Sequence, residues 1–246
     1  MHSPLTTSVT ASFLIVALVA TGVDSRAQAG TTSYAAMAPL SQYLIASQRT
    51  EIALARSAAP ASISDAAEVL VLTRDAYTTA VKGTNGFVCL VERSWGAATD
   101  FPEFWNPKII APICVNAPAA RTYLPAVLMK ARLALAGKSK AEIAQALTSA
   151  YDRKDLPVLE PGAMCYMMSR RQYLSDEGKR WHPHMMWFVP GDAATMWGAN
   201  LPGSPTLAAN DPEDRMTIFL VWVGHWSDGR SAPQERHSLP AAHTMH

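Results

Sequence analysis

Four side chains in this sequence have the types and spacing for chemistry: His182, His184, Glu92 and Cys165. His182 and His184 lie two apart in Trp181-His182-Pro183-His184. On an extended segment, residues two apart point to the same side. Two imidazoles presented together make half of a transition-metal site. Pro183 between them points to a strand start or edge, where Pro is tolerated. The plainer alternative is packing, with one imidazole closing a turn and the other lying beside Trp187.

Glu92 and Arg93 interrupt the apolar run 87–95, FVCLVERSW. As a strand, this run turns Cys89, Val91, Arg93 and Trp95 one way and Leu90, Glu92 and Ser94 the other. A buried charge must be paired or used, because burying it alone costs several kcal/mol, in the order of the usual desolvation penalty. Glu92 then serves as a third metal ligand, a general base, or the partner of an arginine elsewhere. The alternative is a strand end that emerges into water, leaving both charges solvated.

Cys165 lies in 162–168, GAMCYMM. With Met185 and Met186, this segment holds five of the chain's 11 methionines. Cys, His and Met together suit copper, and His with a carboxylate suits zinc. Methionine is also an ordinary filler of cores. Cys165 beside a histidine has the makings of a nucleophile and base, unless a disulfide to Cys89 or Cys114 removes it. No phosphate-loop, G-x-S-x-G, H-E-x-x-H or G-x-G-x-x-G pattern occurs. Several of the seven tryptophans flank loops, where an indole can wall a ligand cleft or plug the end of a sheet.

These groups must be positioned by a chain of 246 residues with 21 Lys+Arg against 20 Asp+Glu, a formal net charge of +1. A balance that close to zero argues against a nucleic-acid partner. Hydrophobic residues make up 49% of the chain, enough to fill a core. Residues 1–29 read as a signal peptide, with an apolar stretch at 11–23 and an A-x-A pattern at 27–29, although no Lys or Arg precedes the stretch. The protein is therefore expected in the periplasm or outside the cell, with no membrane span once the signal is removed. Three cysteines allow at most one internal disulfide there.

Residues 30–39 read as a linker, 40–227 as one domain and 228–246 as a disordered tail. Helices are expected at 40–56, at 117–135 with a start or kink at Pro125, and from the capping box Ser139-x-x-Glu142 to about Arg153. Strands are expected near 68–73, 76–82, 87–95, 163–169, 184–189 and 217–223, with the sharpest turn of an antiparallel meander at Asn85-Gly86. Segments 101–112 and 190–215 read as connections. Helices and strands are segregated, which predicts an α+β fold: a mainly antiparallel sheet of about five or six strands with two or three packed helices.

The function expected is that of an exported small-ligand or transition-metal binding protein. Its pocket would lie where the strands carrying Glu92, Cys165 and His182/His184 converge. A metal-assisted hydrolase with Glu92 or a histidine as general base is the alternative, and a structural or partner-binding protein the third.

Overall fold

The structure, a computed structural model, describes residues 34–204 and 206–233. The expected signal peptide and residues 234–246 of the expected tail lie outside them. Among the described residues there are eight strands, more than the five or six expected: β1 (Glu68–Leu72), β2 (Tyr77–Val81), β3 (Val88–Glu92), β4 (Ala111–Val115), β5 (Met164–Met167), β6 (His184–Pro190), β7 (Leu207–Asp211) and β8 (Met216–Trp222). They form one sheet in the order β2-β1-β3-β4-β5-β6-β8-β7. All neighbours are antiparallel except β1 and β3.

That exception corrects the expected meander. Strands β1 and β2 do form a hairpin, closed by Thr73 N–H donating to Ala76 O at 2.8 Å. The chain then passes the start of β1 and enters β3 on the other side. Thr84 N–H donates to Ala66 O, and Asn85 Nδ2 to Ile63 O. A Cβ at Gly83 would lie 2.1 Å from Glu68 N, so only glycine allows this crossing. Asn85-Gly86, with Gly86 at φ 77°, turns the chain into a crossover rather than a hairpin.

Among the described residues five α-helices flank the sheet: α1 (Gln48–Arg56), α2 (Ala61–Ser64), α3 (Ala117–Thr122), α4 (Leu124–Leu135) and α5 (Lys140–Asp152). Three have nine residues or more. The helix expected at 40–56 starts only after Ser47, whose side chain accepts from Thr50 N–H and caps α1. The 117–135 segment divides at Tyr123, with Pro125 in the first turn of α4, where its missing N–H is harmless. The capping box of Ser139 and Glu142 opens α5 as expected.

Both faces of the sheet are covered. Val69, Val71, Cys89, Val91 and Cys114 pack on Leu54, Ala55 and Ala58 of the α1 region. Leu90, Ile113, Val115 and Cys165 pack on Ala119, Tyr123, Leu124 and Val127 of α3 and α4. Cys89 on β3 and Cys114 opposite on β4 form a disulfide, and Cys165 is a buried free thiol.

Two expected connections contain strands. The 101–112 segment ends in β4, where Pro112 is tolerated because the ladder to β5 spans only Cys114 and Val115. The 190–215 segment contains the edge strand β7. The linker's described part is docked, with Tyr34 O–H donating to Asp176 at 2.6 Å. Residues 228–233 fold back, with Ala232 N–H donating to Gly224 O. None of the described helices is long and apolar enough to cross a membrane.

Candidate functional site: an aromatic mouth at the start of β6

The four residues singled out in the sequence come together as two pairs. Glu92 and Cys165 are neighbours in the core, on the sheet face covered by α3 and α4. His182 and His184 stand at the head of β6, three strands from β3. The expected four-ligand metal set is therefore not assembled. Among the described residues, no group of three or more His, Cys, Asp and Glu side chains is placed to hold a metal ion.

Glu92 and Arg93 are both buried, so the solvated alternative fails. Arg93 donates Nε to Tyr43 O at 2.6 Å, Nη1 to Val91 O and Nη2 to Glu51 Oε1 at 3.0 Å. Glu51 is itself buried on α1 and also accepts from Leu72 N–H. Glu92 Oε1 accepts from Tyr123 O–H at 3.1 Å, and a Cβ at Gly96 would lie 2.7 Å from Glu92 Oε2. Burial pushes the Glu92 carboxyl up to about 7, although the Tyr123 hydrogen bond and the Lys130 ammonium pull the other way. Burial, reinforced by Glu92, pushes the Cys165 thiol well up, away from the thiolate that a nucleophile needs.

Lys130 is a charged group the sequence reading missed. It is fully buried on α4 and donates to Asp214 Oδ2 at 2.6 Å. Burial works to strip its proton, but Asp214, Asp211 and Glu213 outweigh that and hold the ammonium above its ordinary range. The signal was in the periodicity: Lys130 follows Ala126 and Val127 at helical spacing, on the stripe α4 buries. Asp211, Glu213 and Asp214 were hidden in a segment read as loop. Clefts of about 360 and 460 Å³ lie on either side of their turn, the first walled by Tyr151, Leu156, Leu159 and Asp214, the second by Asp192, Asn210 and Asp211. Neither is walled by Glu92, His182 or His184.

At the head of β6, His184 lies directly across from Trp222 on β8. Its ring centre is 5.6 Å from that of Trp222 and 6.0 Å from that of Trp181, and the two indoles are 6.2 Å apart. His182, just before the strand, lies edge-on to Trp222 at 5.8 Å. Trp181 is 40% exposed and Trp222 38%, whereas Trp95, Trp105 and Trp226 are buried. This mouth is the one place where a candidate imidazole meets exposed indoles.

The mouth is held under strain. Trp181 has φ 55°, a left-handed conformation rare for a bulky side chain. Gln172, 3% exposed, clamps the backbone on either side, its Nε2 donating to Arg180 O at 2.6 Å and to His182 O at 3.5 Å. Gln172 Oε1 is buried without a hydrogen-bond partner among the described residues. A Cβ at Gly178 would lie 2.1 Å from Trp181 Nε1, so glycine there makes room for the indole. No sequence signal marked Gln172 or Gly178.

His184 Nδ1 lies 2.8 Å from His182 O. A carbonyl oxygen only accepts, so Nδ1 carries the proton and Nε2 keeps its lone pair. Burial holds the imidazole down at about 4, so this neutral tautomer persists at neutral pH. The mouth thus sets two exposed indoles beside a buried imidazole, 2% exposed, whose Nε2 keeps the lone pair.

The chain matches no family model, no curated protein and no solved structure.

Proposed function

We propose that this protein is exported and binds a small ligand at the mouth formed by Trp181, Trp222 and His184. One observation carries the reading: a tryptophan held exposed in a strained backbone conformation, beside a neutral imidazole whose free nitrogen can only accept. Strain of this kind, about 1–3 kcal/mol per residue, persists where the surroundings over-determine it, and it clusters at ligand sites. The 11–23 apolar stretch and the Cys89–Cys114 disulfide support export to an oxidising compartment.

The test is saturation-transfer NMR with a panel of sugars, amino acids and aromatic acids on the intact protein and on a Trp181→Ala/Trp222→Ala variant. At least one compound should receive saturation from the wild type and none of it from the variant. Equal transfer to both would place binding elsewhere. Metal content that is unchanged by His182→Ala/His184→Ala would separately dispose of zinc or copper at these imidazoles.

A hydrolytic reading has one observation in its favour, the Glu92 carboxyl poised near 7, where general acid–base work is efficient. Against it, Glu92 is 7% exposed, occupied by Tyr123, and lines neither cleft.

A further inference from the structure

We propose that the loop 193–204 docks this protein, weakly and reversibly, on a membrane surface of zwitterionic lipid, with Met196, Trp197 and Leu201 entering the headgroup layer. The contact is independent of the ligand seat.

Single exposed apolar side chains are ordinary, but a group of them on one tip marks a contact surface. Met196 is 79% exposed, Trp197 58% and Leu201 60%. Met196 and Trp197 adjoin in the chain, and Leu201 Cδ1 lies 3.8 Å from where a Cβ at Gly198 would stand. The inner side of the loop is packed, with the Trp197 ring 4.5 Å from that of Phe219 and with Ala193 and Ala199 in one buried cluster with Phe219. Val221 is exposed and lies two residues beyond Phe219, so it extends the apolar surface on the same side of β8. Trp222 alternates to the other side, which separates this surface from the mouth.

Three features select lipid over a protein partner. The first is charge. None of residues 193–210 is charged, in a chain that is 17% charged. Protein interfaces are rimmed by polar groups, whereas the border of the hydrocarbon penalises charge. The charged residues that flank the stretch, Asp192 and Asp211, are both acidic, which points to zwitterionic rather than anionic lipid. The second is the backbone. Irregular chain near hydrocarbon must satisfy its polar groups internally. Trp197, Gly198 and Ala199 N–H donate to Ala193, Thr195 and Ala194 O, Asn200 N–H donates to Thr206 O, Ser204 N–H donates to Leu201 O, and Pro202 has no N–H. The Asn200 amide turns back onto Ala208 of β7. These bonds also set the loop in shape beforehand, so docking orders little. The third is shape. Side chains exposed by more than half stand out from the surface, suited to entering a soft layer, and tryptophan is the residue favoured at headgroup level.

The experiment measures quenching of the tryptophan fluorescence of the intact protein by phosphatidylcholine vesicles with brominated acyl chains. It reports the insertion of each indole whatever else in the chain touches lipid. Quenching should develop at about millimolar lipid, the range open to a few apolar side chains. Trp197→Phe should remove most of it and Trp222→Phe little. Met196→Ser/Leu201→Ser, two exposed changes, should raise the lipid concentration required by about tenfold or more at an unchanged melting temperature. Added salt should leave the binding in place. No quenching, or quenching that survives Trp197→Phe, would overturn the proposal. Binding that requires phosphatidylglycerol and disappears in salt would overturn it in favour of a charged face elsewhere. Self-association removed by Met196→Ser/Leu201→Ser, without quenching by lipid, would overturn it and assign the patch to a contact between proteins.

Discussion

Gln172 joins the core to the mouth. Its amide ties the two carbonyls that flank Trp181, so Gln172→Ala should release the left-handed turn. The expected loss of stability is about 1–3 kcal/mol, the price of leaving buried groups unpaired. The Trp181 indole signal should move while that of Trp222 stays; an unmoved Trp181 signal would show that the turn holds itself. Arg93 supplies a second residue-scale test. Glu51→Gln removes the only carboxylate within salt-bridge reach of its buried guanidinium among the described residues, and should cost about 3–5 kcal/mol in chemical denaturation. A loss below 1 kcal/mol would mean the carbonyls of Tyr43 and Val91 suffice. At this scale the sequence was legible in part. The alternation of 87–95 placed Leu90 with Glu92 and Val91 with Arg93 on opposite faces, as observed. It was silent on which partner each group would meet, because Glu51 and Tyr123 reach β3 only through packing of helices distant in the chain.

Elements were more legible where the signal was local. The capping box of α5 and the bulky runs of β5, β6 and β8 are read from a few adjacent residues. Strand β7 was missed because Leu207–Asp211 has one large apolar residue and owes its conformation to pairing with β8. Its outer edge has a built-in cover: Asn200 Nδ2 donates to Ala208 O, and Asn200 Oδ1 accepts from Ala208 N–H. An uncovered edge invites pairing with another chain. Asn200→Ala should therefore increase self-association in sedimentation velocity at high concentration, with little change in monomer fold. A variant as monomeric as the wild type would show that other features protect the edge. The crossover after β2 is equally testable. Gly83→Ala sets a methyl against the backbone of Glu68 and should cost about 1–3 kcal/mol or more, as overpacking does.

Across the whole molecule, buried charge sets the response to pH. Burial raises Glu92 to about 7 and, with Asp214, raises Asp211 to about 6. Both carboxyls bind protons more tightly folded than unfolded. The stability they confer is complete below their ordinary values near 4 and is lost as pH rises through 6 and 7. His184, lowered by burial to about 4, acts oppositely, and its contribution is lost as pH falls from 6.5 toward 4. Two groups oppose one, so the melting temperature should be higher at pH 5 than at pH 7.5. Glu92→Gln should remove part of that difference. A melting temperature that rises from pH 5 to pH 7.5 would contradict the burial of the two acids.

The proposed site depends on His184 being a neutral acceptor beside exposed indoles. The ¹⁵N imidazole spectrum of the folded protein reads that state directly. Nδ1 should carry the proton and Nε2 the lone pair, without titration between pH 5 and 8. A proton on Nε2, or a midpoint near 6.5, would contradict the site.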